Sequence, residues 1–71
     1  MLSVKKVDDT LYSIEHDGAT IFVGKYTETL AYAYWNFGIH KIVITKCLNL
    51  LSKSGQSIIL TQMMDIGGNV S

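Results

Sequence analysis

Seventy-one residues allow one domain, close to the size at which a single hydrophobic core only just offsets chain entropy. One cysteine excludes an internal disulfide, two separated histidines argue against a structural zinc, and no apolar run is long enough to span a bilayer. Six lysines balance six acidic residues and there is no arginine, so the usual phosphate clamp and guanine reader is missing.

A 48% apolar composition on so short a chain leaves apolar side chains at the surface. Association is the expected outlet, as a homodimer or with a larger partner. The N-terminus turns polar at Ser3 and Lys5, too early for a secretory signal, and a soluble cytoplasmic protein with a reduced thiol is expected.

Leu2 to Val7 alternates and predicts a first strand, Asp8-Asp9-Thr10 a polar turn, and Leu11 to His16 a second strand. Asp17-Gly18 is the sharpest local signal. Asp-Gly between two β-rich runs favours a two-residue type I′ hairpin, whose central residues both need positive φ. Ala19 to Gly24 is the third strand. Regular pairing across that turn sets His16 opposite Ala19, Ile14 opposite Ile21 and Tyr12 opposite Val23, with Val4 beside Ile14 on the same, buried face. Ser13, Glu15, Thr20, Lys5 and Gly24 fall on the reverse face. Leu11 and Phe22 join them there as an exposed apolar pair.

Thr27 is a candidate N-cap with Glu28 in the first turn. Glu28, Tyr32 and Asn36 form a polar stripe, while Leu30, Ala33, Tyr34 and Phe37 line the opposite side. Gly38 suits a left-handed helix end and Ile39 the apolar residue that packs back on it. Lys41 to Ser54 has two readings. Ile42-Val43-Ile44-Thr45 is β-branched like a strand, but Lys41, Thr45, Asn49 and Lys53 recur every four residues. That spacing leaves Val43, Ile44, Cys47, Leu48, Leu50 and Leu51 on an apolar helical face. The helix is the preferred reading, with His40 a poor cap for it and Ser54-Gly55 its stop. Ser57 to Gln62 predicts a fourth strand at a sheet edge. The domain is thus expected to cover residues 1–62, with a flexible tail over 63–71.

None of the polar groupings forms a convincing reaction centre. Cys47 falls on the apolar face, whereas a reactive thiolate wants exposure and a helix N-terminus. Glu15, His16 and Asp17, with His40, could suggest a metal site, but neighbouring strand residues point to opposite faces. Asp8 and Asp9 lie in an exposed turn with no pocket to shift a pKa, and Gly67-Gly68 has no helix after it to hold a phosphate. No catalysis and no cofactor are expected.

Tyr26, Tyr32, Tyr34, Trp35 and Phe37 crowd aromatics into about three turns. Tyr34 and Phe37 are accounted for as core. Tyr32 and Trp35 point to the flank, where large amphipathic rings act as interface anchors. The expected interface residues are therefore Tyr32, Trp35, Leu11 and Phe22.

The succession of strand, strand, Asp17-Gly18, strand, Phe22-Val23-Gly24-Lys25-Tyr26-Thr27-Glu28, aromatic helix, Gly38-Ile39 and second helix resembles small uncharacterised proteins of tailed bacteriophages. The resemblance covers residues 10–55 and carries over no site residue. It implies a viral accessory protein, in the host cytoplasm, that binds and modulates a host protein.

The fold expected is α+β: a three- or four-stranded antiparallel sheet, an N-terminal β-meander, with two helices on one face. The function expected is non-enzymatic protein–protein binding. A weak nucleic-acid-binding regulator, with Lys41, Lys46 and Lys53 of the helix pair on phosphates, is the alternative.

Overall fold

A computed structural model describes residues 1–60 of the chain. Four strands, β1 (Leu2–Lys6), β2 (Leu11–His16), β3 (Ala19–Lys25) and β4 (Ser57–Ile59), form one antiparallel sheet in the order β3-β2-β1-β4. Two helices, α1 (Tyr26–Phe37) and α2 (Lys41–Leu50), cover one face. This is the α+β architecture that the sequence predicts. The fourth strand, expected over Ser57 to Gln62, stops at Ile59, and Leu60 is already out of it; residues 61–62 and the expected tail over 63–71 lie outside the described residues.

Asp17 and Gly18 both take positive φ, 51° and 85°, as a type I′ turn requires. Val4 pairs with Ile14, and His16 with Ala19, as regular alternation demands. Beyond Glu15 the β2–β3 register departs from that expectation. A bulge between Ile14 and Glu15 leaves Ile21 as an extra residue, so Ile14 pairs with Phe22, Ser13 with Val23 and Tyr12 with Gly24.

One inserted residue exchanges the two faces of β3. Ile21 and Val23, expected in the core, are exposed, while Phe22 is half-buried against the core cluster. Phe22 therefore does not pair with Leu11 on the open face; the two residues stand on opposite sides of the sheet. The reason is aromatic packing. The Phe22 ring stacks on Tyr32 with centroids 4.3 Å apart and lies over Gly24, where an added Cβ would sit 2.6 Å from its Cζ. A strand glycine covered by an aromatic ring hides backbone that would otherwise be wet, and the bulged register turns this face of β3 toward α1, where Tyr32 stacks on the ring.

The chain enters α1 directly from β3, without a loop. The helix begins at Tyr26 rather than after the expected cap Thr27, because Glu28 Oε1 accepts the Lys25 backbone N–H at 2.7 Å. Tyr26, Thr29, Leu30 and Ala33 face the sheet, and Thr29 is buried because its hydroxyl donates to the Lys25 carbonyl at 2.8 Å. Gly38 ends the helix at φ 66°, donating to the Tyr34 carbonyl, while the buried Ile39 donates to the Ala33 carbonyl. This is the Schellman closure read from Gly38-Ile39.

Residues 41–50 are helical, and α2 lays Ile44, Cys47 and Leu48 on the core, with Leu51 buried just past its end. Leu50, expected on that face, is 59% exposed. His40 is a better cap than its residue type suggests: its Nδ1 accepts the Ile42 backbone N–H at 3.1 Å. Replacing His40 by alanine is expected to cost about 0.5–2 kcal/mol, with aspartate restoring the loss. Denaturant unfolding of the two variants measures both.

The helix stops at Leu50, short of Ser54-Gly55. Gln56 Oε1 collects the N–H groups of Ser52 and Lys53, and Gly55, at φ 89°, donates to the Lys6 carbonyl at 2.7 Å. Those bonds deliver β4 to the outer edge of β1. Tyr26 and Asn49 are joined by a hydrogen bond, so the start of α1 lies beside the end of α2 and the helices are antiparallel. The core between layers is Val4, Ile14, Ala33, Ile39, Ile44, Cys47, Leu48 and Leu60.

Candidate functional site

The helix pair positions a surface at the corner where α1 ends and α2 begins. The turn at Gly38 carries the chain back, so His40 and Lys41 stand beside the C-terminal half of α1. Between them runs an open groove of about 600 Å³, floored by Leu30 and Ala31, flanked by Tyr34 and Trp35, and closed by His40 and Lys41.

Trp35 is 80% exposed. Its ring meets the edge of Tyr34, itself 42% exposed, with centroids 5.4 Å apart and planes at 87°. Lys41 Nζ stands 5.9 Å from the Tyr34 centroid, a cation–π contact that holds the amine at the groove mouth. Next along the chain, Ile42 is 59% exposed. A tryptophan, a tyrosine and an isoleucine thus lie in or next to one helical corner with little protein over them.

The four expected interface residues part company. Trp35 is open and beside a groove. Tyr32 is half-buried, sandwiched between Phe22 and Phe37, whose centroid lies 6.0 Å away; it is a wall of the core rather than a free anchor. Phe22 is its packing partner, and Leu11 is half-buried on the open sheet face. Tyr34, expected in the core, belongs to the exposed corner instead. The α1 face is turned by the need to bury Thr29 and Ala33, which carries Tyr34 outward and Tyr32 inward. Only the register of β3 could have signalled this, because Phe22 supplies the surface on which Tyr32 stacks.

The other candidates stay apart. Cys47 is fully buried, and burial pushes its thiol above the ordinary value. Maleimide labelling of the native protein is expected to be slow at pH 8, accelerating sharply in denaturant; rapid native labelling would contradict the packing of α2. The Asp8 carboxylate accepts N–H groups from Thr10 and Leu11, each at 2.9 Å, and the Thr10 bond chiefly holds its pKa below the ordinary range. That is opposite to what a general acid needs. His16 sits 3.8 Å from Asp17 in the hairpin turn, and among the described residues no three His, Cys, Asp or Glu side chains are grouped to hold a metal.

No protein-family model, no curated protein and no solved structure resembles the chain significantly. The chemistry of the corner is therefore read from its own geometry. The corner presents ring faces, a shallow apolar floor, one amine and one imidazole, whose Nδ1 is engaged by the Ile42 N–H. No helix among the described residues is long and apolar enough to cross a membrane.

Proposed function

We propose that this protein is a non-enzymatic interaction module that docks a larger protein partner through the α1–α2 corner. The exposure of Trp35 carries this reading. Tryptophan presents a large apolar area with few rotatable bonds, so it gains much from burial and loses little entropy. Leaving it in water next to a second aromatic ring and a groove is the pattern of an unoccupied hot spot. Among the described residues no buried side-chain polar atom lacks a hydrogen-bond partner.

The resemblance of residues 10–55 to small tailed-phage proteins supports the further reading that the partner is a host protein, bound in the host cytoplasm and modulated by the contact. Modulation then follows from occupancy alone, by blocking or holding a surface of the larger protein.

Capture of a bacterial lysate on the immobilised chain, across rising salt and with or without nuclease, tests the class of partner. Apolar docking predicts a protein retained at high salt and after nuclease. Loss of all bound material on nuclease treatment, or a steep decline with salt, would mean phosphate contacts from Lys41, Lys46 and Lys53 and overturn the reading.

A further inference from the structure

We infer that the groove beside Trp35 takes an apolar peptide segment bearing acidic residues next to its anchoring side chain. This rests on the docking reading above and specifies its partner. The floor and flanks are Leu30, Ala31, Tyr34 and Trp35, which fit an aliphatic or aromatic side chain. Every ionisable charge that lines the groove is of one sign or neutral. His40 and Lys41 close it, and no lining residue is acidic.

Lys41 has no carboxylate within ion-pair distance among the described residues. The first turn of α2 contains no acidic residue, so the positive end of that helix meets no counter-charge there, His40 Nδ1 capping only the Ile42 N–H. The groove reaches Thr27 in the first turn of α1, but the one carboxylate of that helix, Glu28, does not line it and accepts the Lys25 N–H at 2.7 Å. The corner is thus an apolar slot under a positive field.

Charge decides between occupants. A second copy docking through this corner about a two-fold axis would bring Lys41 toward Lys41 and one α2 N-terminus toward the other, which is repulsive. A basic segment meets the same repulsion. An acidic one gains an ion pair at an exposed rim. Such a pair adds little affinity but raises the association rate and excludes basic competitors. The apolar anchor supplies the affinity and the carboxylate the selection. Nucleic acid is the weaker anion here, because the slot offers one lysine and no arginine to a repeating phosphate chain.

The test is a displayed library of random dodecapeptides selected on the immobilised full-length chain, followed by titration of the enriched peptides. The inference predicts sequences in which a large apolar residue lies within a few positions of Asp or Glu. Their binding should fall by more than about thirtyfold with Trp35→Ala and by about tenfold with Lys41→Glu. Selection on the exposed-site variant Lys41→Glu should enrich basic residues at the same positions. Trp35-dependent peptides without acidic bias, or indifferent to Lys41→Glu, would overturn the inference and leave the docking reading intact. Peptides indifferent to Trp35→Ala, displacement by a single-stranded oligonucleotide, or burial of Trp35 that vanishes on dilution would overturn both.

Discussion

Trp35→Ala is expected to abolish partner binding while leaving the fold intact. The residue is 80% exposed, and its one aromatic neighbour, Tyr34, is also on the surface. Its removal opens no cavity, and alanine is the better helix former. Stability should therefore stay within about 0.5 kcal/mol of the parent protein. Binding should weaken by about 2 kcal/mol or more, the cost of truncating an aromatic anchor at the centre of a contact. Because Trp35 is the only tryptophan, unfolding of this variant has to be followed by far-ultraviolet circular dichroism. A loss of secondary structure would make Trp35 part of the core and remove the basis for the docking surface.

Ile14→Ala is expected to do the reverse. Ile14 lies on β2, flanked by Val4 of β1 and Phe22 of β3, with no exposed surface, beneath the helices. Truncating it removes transfer energy and leaves a hole among residues fixed by two strand ladders, at a cost of about 2–5 kcal/mol. Domains of this length are held by only roughly 4–11 kcal/mol in total. The variant should thus lose about a fifth of its stability or more, up to failing to fold at all. A lowered denaturation midpoint with unchanged denaturant slope is the expected signature. Leu50→Ala, at an exposed position on α2, is the matched control and should shift the midpoint little.

The contrast between these two residues shows what could be read without coordinates. Asp17-Gly18 and Gly38-Ile39 specify their turns through local backbone demands, and both turned out as the residue types require. The order of strands and helices, and the burial of Ile14, Ile44, Cys47 and Leu48, follow from periodicity alone. The bulge at Ile21 does not. Its register is chosen by the stacking of Phe22 on β3 against Tyr32 on α1, a meeting that neither element predicts by itself. Every misplaced side chain near β3 descends from that one insertion: Ile21 and Val23 move outward, Phe22 inward, and Tyr32 follows Phe22.

The helix ends were hidden for a different reason. By residue preference Thr27 is a cap and His40 a poor one, but Glu28 reaches back to Lys25 and His40 turns its Nδ1 onto its own helix. Both are geometric accidents of side-chain reach that composition does not record. At the candidate site the outcome is mixed in the same way. Trp35 is legible because a tryptophan on the flank of an amphipathic helix has few neighbours. Tyr34 and the groove are not, since they depend on how far α1 rotates over the sheet and on where Gly38 aims α2.

The most direct test of the docking surface compares the parent protein with Trp35→Ala as baits in nuclease-treated bacterial lysate, with bound proteins quantified by mass spectrometry. The expected result is one protein retained near equal stoichiometry by the parent and depleted at least tenfold, roughly, on the variant. The same protein recovered equally by both baits, with both folded, would contradict the account and place the interface elsewhere on the molecule.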